Sequence, residues 1–167
     1  SEALATQRVD LAVTVADDVP AGTVRETLFR GAFVCLFDPR RARVGKRLTR
    51  ERYLAHEHVI VSYNGDLRGI VEDLLGVNRD VRVSVPSFHG LGALVEGTAL
   101  LATVPAMVAA QIRSERPRLR TAPLPFALGS TPMELLSRGA VADDPAVRFL
   151  RDLVVRVVQS EGPLRAR

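Results

Sequence analysis

Apolar and polar positions alternate over Val81–Val85, where Val81, Val83 and Val85 are interleaved with Arg82 and Ser84. That period of two marks a half-buried strand. Pro86 has no N–H to give and ends it. Ser87 is an N-cap type and Gly97 a C-terminal stop, so the spacing predicts a short helix over Phe88–Glu96. Ala99–Val104 is apolar except for Thr103, as a strand buried on both faces would be. Pro105 stands where an N1 proline belongs, with a helix through Ala106–Gln111. Strand, helix, strand, helix in this order requires a parallel sheet with a right-handed crossover. Ligands on such sheets bind outside the carboxyl ends of the strands, here Pro86-Ser87-Phe88 and Val104-Pro105.

The remaining chain follows the same punctuation. Glu2–Gln7 reads as the end of a helix and Val9–Val15 as an apolar strand, so residue 1 is expected to fall inside a domain. Asp17–Gly22 reads as a turn, Val24–Phe29 as an exposed or edge strand, and Ala32–Phe37 as an apolar strand. After Asp38-Pro39 a charged loop runs to Arg47, and Thr49 can cap a short helix. His58–Ser62 is a short buried strand, and Tyr63-Asn64-Gly65 a turn. Asp66 is expected to cap a helix whose Leu67, Ile70, Val71, Leu74 and Leu75 form one apolar stripe, with Gly76 as its stop. Five large aliphatics exceed the three or so per two turns that a surface helix needs. The rim, Leu67 or Val71, is then available for another chain, unless all five residues simply face the core. Leu119–Phe126 carries Pro123 and Pro125 and must be an edge strand. Ala127–Pro132 is a loop and Met133–Ser137 a strand. Asp144-Pro145 opens an amphipathic helix over Ala146–Gln159, with Val147, Leu150, Val154 and Val157 on one stripe.

Composition narrows the function classes. A chain of 167 residues with 47% hydrophobic and 25% charged positions suits one globular domain or two small lobes. No apolar run approaches the 18 or so residues of a membrane span. The first residues lack the layout of a signal peptide, which points to the cytoplasm. The lone Cys35 lies in the apolar run GAFVCLF and reads as a core thiol. Net charge is +4, with arginine carrying nearly all of it: Lys46 is the only lysine. The basic residues cluster in Arg40–Arg52 and Arg113–Arg120. Aromatics are 5% and do not interleave with these clusters, so they read as solvated surface and not as a base-stacking face. His56 and His58 would share a strand face, but a third ligand is missing, so no metal or other cofactor is expected. Asp17-Asp18 and Asp143-Asp144 suit turns and caps; no catalytic triad, P-loop or dinucleotide fingerprint is present.

Several segments together resemble the effector-binding domain of LysR-type transcriptional regulators. They are VDLAV (Val9–Val13), LFRGAFVCLFDP (Leu28–Pro39), RLTRERYLAHEHVIVS (Arg47–Ser62), VPSFHGLGALVEGTALLATVPAMVA (Val85–Ala109) and PMELLSRGAVADDPAVRFLRDLV (Pro132–Val154). The flavour is that of the nodulation and aromatic-degradation regulators. The resemblance implies an α/β, periplasmic-binding-protein-like (type 2) two-lobe fold with mostly parallel sheets. Residues 1–30 and 129–167 would form lobe I, incomplete at its N-terminal side by roughly fifty residues. Residues 31–128 would form lobe II. The family's winged helix-turn-helix and linker helix have no counterpart in this chain.

The resemblance implies a small-molecule effector between the lobes, aromatic or carboxylate in character. Ser62, Tyr63 and Asn64 would then face the cleft mouth, either recognising the effector or forming a hydrogen-bonded turn. Ser87, Phe88 and His89 sit at the predicted helix start, where free N–H groups favour a carboxylate; equally, Ser87 is a plain N-cap with Phe88 packed inward. Val15 would contact effector by shape alone. Leu67, Ile70, Val71 and Leu74 would meet a lobe I helix of a second subunit in a twofold homodimer, with a tetramer at full length. DNA would be contacted only through the upstream winged helix-turn-helix. The expected function is effector sensing without catalysis. A stand-alone solute-binding protein of the same fold is the first alternative, distinguished by an upstream signal peptide. An enzyme that borrowed the fold is the second, and it lacks a clustered acid–base set.

Overall fold

The structure is a computed structural model and describes residues 2–15, 19–62 and 65–161. Its elements run α1 (Glu2–Ala5), β1 (Leu11–Thr14), β2 (Thr23–Gly31), β3 (Phe33–Phe37), α2 (Arg50–Leu54), β4 (Glu57–Val61), α3 (Ile70–Leu75) and β5 (Asp80–Val85). They continue with α4 (Leu91–Val95), β6 (Leu101–Pro105), α5 (Ala106–Glu115), β7 (Arg120–Pro123), β8 (Thr131–Arg138), a 3-10 turn (Gly139–Val141) and α6 (Pro145–Glu161). The chain forms two compact units, Ser1–Gly31 with Ser130–Arg167, and Ala32–Gly129.

The first unit is built on a three-stranded sheet in the order β1-β8-β2, antiparallel at both pairings. β2 is an edge strand, as its alternation suggested, with an irregularity between Thr27 and Phe29. Arg25 reaches across from it to Glu134, guanidinium to carboxylate at 2.6 Å. Asp144 caps α6 by accepting from the Ala146 N–H at 2.8 Å. The stripe expected on this helix is only partly covered: Val147 is buried, whereas Leu150 and Val157 are 49% and 50% exposed. A helix of 17 residues is about 25 Å long, and three strands make a sheet only about 10 Å across.

The second unit carries a five-stranded sheet in the order β5-β4-β6-β3-β7. β4 pairs in parallel with β5 and with β6, while β3 is antiparallel to both β6 and β7. The sheets are thus less parallel than expected: β3 runs against the other four strands of this sheet, and the first unit's sheet is antiparallel throughout. β7 lies at the edge, where Pro123 and Pro125 forfeit no ladder bond. One apolar cluster joins Leu36, Val59, Leu91, Val95, Ala102 and Ile112. A second joins Cys35, Phe37, Val44, Leu48, Tyr53, Val71 and Leu101. Gly92 allows α4 to press on α5, since a Cβ there would come within 2.7 Å of the Ile112 side chain.

Two helix starts differ from the sequence expectation. α3 begins at Ile70 behind Gly69, not at Asp66, and Leu67 precedes it. Asp66 is instead spent on the turn before, accepting from the Ser62 hydroxyl at 2.7 Å. α4 begins at Leu91 behind Gly90, whose φ of +79° suits glycine, so Ser87 is not its cap. The stripe on α3 also divides. Val71 is fully buried and belongs to the core, which removes it from any surface between subunits. Ile70 and Leu75 are half-buried against the same cluster, while Leu67 and Leu74 stand 55% and 58% exposed.

Candidate functional site

Parallel pairing decides which residues gather at the carboxyl edge of the second unit's sheet. Val61 is opposite Val85, and the Ser62 N–H continues the ladder to the Val85 carbonyl at 3.0 Å. Ser62 and Pro86 therefore leave the sheet side by side. β6 runs the same way on the other side of β4 and ends at Pro105, opposite Phe33. The Ala106 N–H at the start of α5 donates to the Ala32 carbonyl at 2.8 Å. Three strand ends and the entry of β3 thus share one edge, the place where open α/β sheets bind ligands.

The residues singled out from sequence are distributed unevenly around this edge. Ser62 is buried, and its hydroxyl donates to Asp66, so a turn-bracing role is in place. Tyr63 and Asn64 lie outside the described residues. Ser87 and His89 are exposed in the loop between β5 and α4, and Phe88 is half-buried against the first apolar cluster. The carboxylate reading of Ser87–His89 loses its helix start, since α4 is only five residues long and begins beyond them. Val15, one residue past β1 in the first unit, is 45% exposed.

A feature that sequence reasoning passed over lies farther along the same edge. A recess of about 550 Å3 is walled by Phe33, Val34, Pro123, Leu124, Phe126 and Leu128, with Thr121 among its polar contributors. Its position follows from the register, which sets Phe33 opposite Pro105 and Val34 opposite Pro123. The prolines had signalled an edge strand and nothing more.

Beneath the sheet's other face is a buried polar network. Arg79 donates to Glu72 from Nε and Nη2, both at 2.6 Å, and to the Tyr53 hydroxyl at 3.0 Å. Tyr53 in turn shares a hydrogen bond with the Thr103 hydroxyl at 2.6 Å. Burial alone would raise the Glu72 carboxyl; the hydrogen bonds and charge of Arg79 outweigh it and hold the group below the usual carboxylate range. His58 Nε2 donates to the Tyr53 carbonyl at 2.8 Å, which leaves Nδ1 buried without a partner among the described residues. Burial pushes this imidazole down to about 4. Burial also pushes the Cys35 thiol up to about 12, so it stays protonated and is a core thiol. His56, outside the strand, is held by the Arg52 carbonyl at 2.6 Å, so the two histidines do not share a face. These contacts are structural.

The architecture has close counterparts among solved structures. The regulatory domain of MexT, a transcriptional activator in Pseudomonas aeruginosa, superposes with a TM-score of 0.78 at 35% identity, over 93% of this chain and 76% of that one. The fold class is therefore the α/β, type 2 periplasmic-binding-protein-like architecture of such regulatory domains. The LysR substrate binding domain family matches residues 1–159, and the chain belongs to it. The transcriptional activator NagR of a Ralstonia species is 31% identical over 154 residues, 89% of this chain and 50% of that protein. NahR of Pseudomonas putida, also a transcriptional activator, is 34% identical over 111 residues, 65% of this chain and 37% of that protein. The chain spans half or less of the length of these relatives. Among the described residues, no helix is long and apolar enough to cross a membrane.

Proposed function

We propose that this chain senses a small effector on behalf of a DNA-bound transcription regulator and performs no catalysis itself. The effector, an aromatic or carboxylate molecule, binds at the carboxyl edge of the second unit's sheet. The observation that carries this reading is the parallel β5-β4-β6 arrangement, which sets the ends of three strands together. Phe88 offers an aromatic face there and the apolar recess beside Phe33 would take a ring, while Ser62, donating to Asp66, holds the turn that borders the effector. The names of NagR and NahR support the regulatory role. A winged helix-turn-helix elsewhere in the protein reads the DNA, and the protein works in the cytoplasm. Effector changes the balance of two conformations by binding one of them more tightly. The two units act as the two lobes. Self-association as a homodimer, and a tetramer at full length, uses the exposed Leu67 and Leu74 with the flank of Ile70.

Calorimetric titration of the chain with a panel of aromatic carboxylates tests the reading. Ser62→Ala, which releases the turn held through Asp66, and Phe33→Ala, which removes packing against a ring, are each expected to weaken the best ligand about five- to tenfold. A ligand whose affinity ignores both changes binds elsewhere, and the placement fails.

A further inference from the structure

The two arginine clusters, separate in sequence, meet in the fold. Segment 38–52 carries seven basic and two acidic side chains, and 113–120 four and one, against a net of +4 for the whole chain. β3 ends at Phe37, whose register partner is Arg120 on β7. The loop after β3 and the connection from α5 to β7 therefore leave the sheet at one edge, opposite the carboxyl ends of β4, β5 and β6. A single turn ties them: Asp38 accepts from the Gly97 N–H at 2.8 Å, and the neighbouring Glu96 pairs with Arg116 at 2.6 Å. Lys46, Arg47 and Arg50 border a recess of about 700 Å3 whose other wall is Thr121–Pro125.

The loop is fixed, and its cations are not consumed. Ala42, Val44 and Leu48 are buried, at 2%, 3% and 3% exposure, and anchor it to the second apolar cluster. Arg52 donates to the Val44 carbonyl at 3.2 Å, directly under Gly45, whose φ is +77°. Asp38 is fully buried and takes Arg40 in a two-pronged pair. That leaves Arg41, Arg43, Lys46, Arg47, Arg50 and Arg118 exposed, with no carboxylate at ion-pair distance among the described residues. Elsewhere Arg25, Arg68, Arg79, Arg82 and Arg138 all have carboxylate partners.

We infer that this arginine-rich edge of the second unit docks on the phosphate backbone of duplex DNA. The inference rests on the reading of the chain as part of a DNA-bound regulator. Exposed cations on an anchored loop, with no aromatics interleaved, suit phosphates, which duplex DNA supplies about every 1.7 Å along its axis, and read no bases. The docking is one of position, independent of sequence and sensitive to salt.

The test is the binding of this chain to a duplex of random sequence, followed by fluorescence anisotropy across a salt series. The expected dissociation constant is roughly micromolar to 100 μM, with log affinity falling linearly in log salt. Arg43→Glu, Lys46→Glu and Arg47→Glu together are expected to lower the magnitude of that slope by about three, near 0.9 for each phosphate no longer neutralised. Glutamine at the same three positions gives the same decrease without charge reversal. Glutamate at Arg30, Arg148 and Arg156, exposed in the first unit, changes net charge equally and is expected to leave most of the slope. Equal decreases in both variants, or none in either, overturn the inference. So does polyglutamate binding this edge as tightly as DNA at matched charge, which would make an acidic protein the partner. Effector titrations on the same variants should be unchanged, so a failed effector site and a failed DNA-docking edge are told apart.

Discussion

At the scale of single residues, His58 gives the core of the second unit a dependence on pH. It is fully buried, its Nε2 proton is committed to the Tyr53 carbonyl, and its ring lies 4.6 Å from the Tyr53 ring. Its folded value of about 4 is below the roughly 6.5 of an exposed imidazole. Between those values the unfolded chain binds the proton and the folded chain does not. Its contribution to stability is thus complete above about pH 6.5 and declines as pH falls toward 4. Urea unfolding measured from pH 7 to 4.5 should show that decline, and His58→Gln should flatten it; an unchanged slope would mean other groups set it. Sequence alone hid this role, since two histidines spaced by one residue invite a shared strand face. Glu72 was equally hidden. It sits at a polar-looking helix position, and its partner Arg79 is seven residues on, past the end of α3, where no helix spacing rule reaches.

Elements were legible where apolar periodicity decided them and misplaced where a polar residue had two uses. β3, β4, β5 and β6 fall within two residues of their expected spans, because apolar runs punctuated by proline and glycine admit few other readings, whereas β7 stops at Pro123, three residues short of Phe126. Asp66 and Ser87 look like caps, yet the first braces a turn and the second lies in an exposed loop, so α3 and α4 start later. The shift in α3 changes what its faces can do. Val71→Arg puts a charge into a fully buried site and is expected to unfold the second unit. Leu74→Arg changes a side chain already 58% exposed and should leave thermal unfolding within about 0.5 kcal/mol of the parent. Sedimentation of the Leu74 variant then isolates association from folding. A shift toward monomer places a subunit interface on this helix, and an unchanged species rules it out.

At the scale of the whole molecule, the two units are not equally supported. Both apolar clusters lie within residues 32–129, where helices cover the five-stranded sheet. In the first unit, the fully covered apolar residues among those described are Leu4, Leu135, Leu136 and Val147, and α6 leaves Phe149, Leu150, Leu153 and Val157 exposed. Opening free energy follows the apolar area each unit buries and the covering of its ladder. Amide exchange followed by mass spectrometry should find the slowest amides in β3, β4 and β6, around Leu36, Val59 and Ala102. β1, β2 and α6 should exchange faster. A ligand at the carboxyl edge stabilises what it touches by RT ln(1 + [L]/Kd), about 2.7 kcal/mol at a hundredfold excess over Kd. Saturating effector should therefore slow exchange in β4, β5 and the start of α5 first. Slowing confined to the first unit would place the effector on that unit and remove the parallel strand ends from the mechanism.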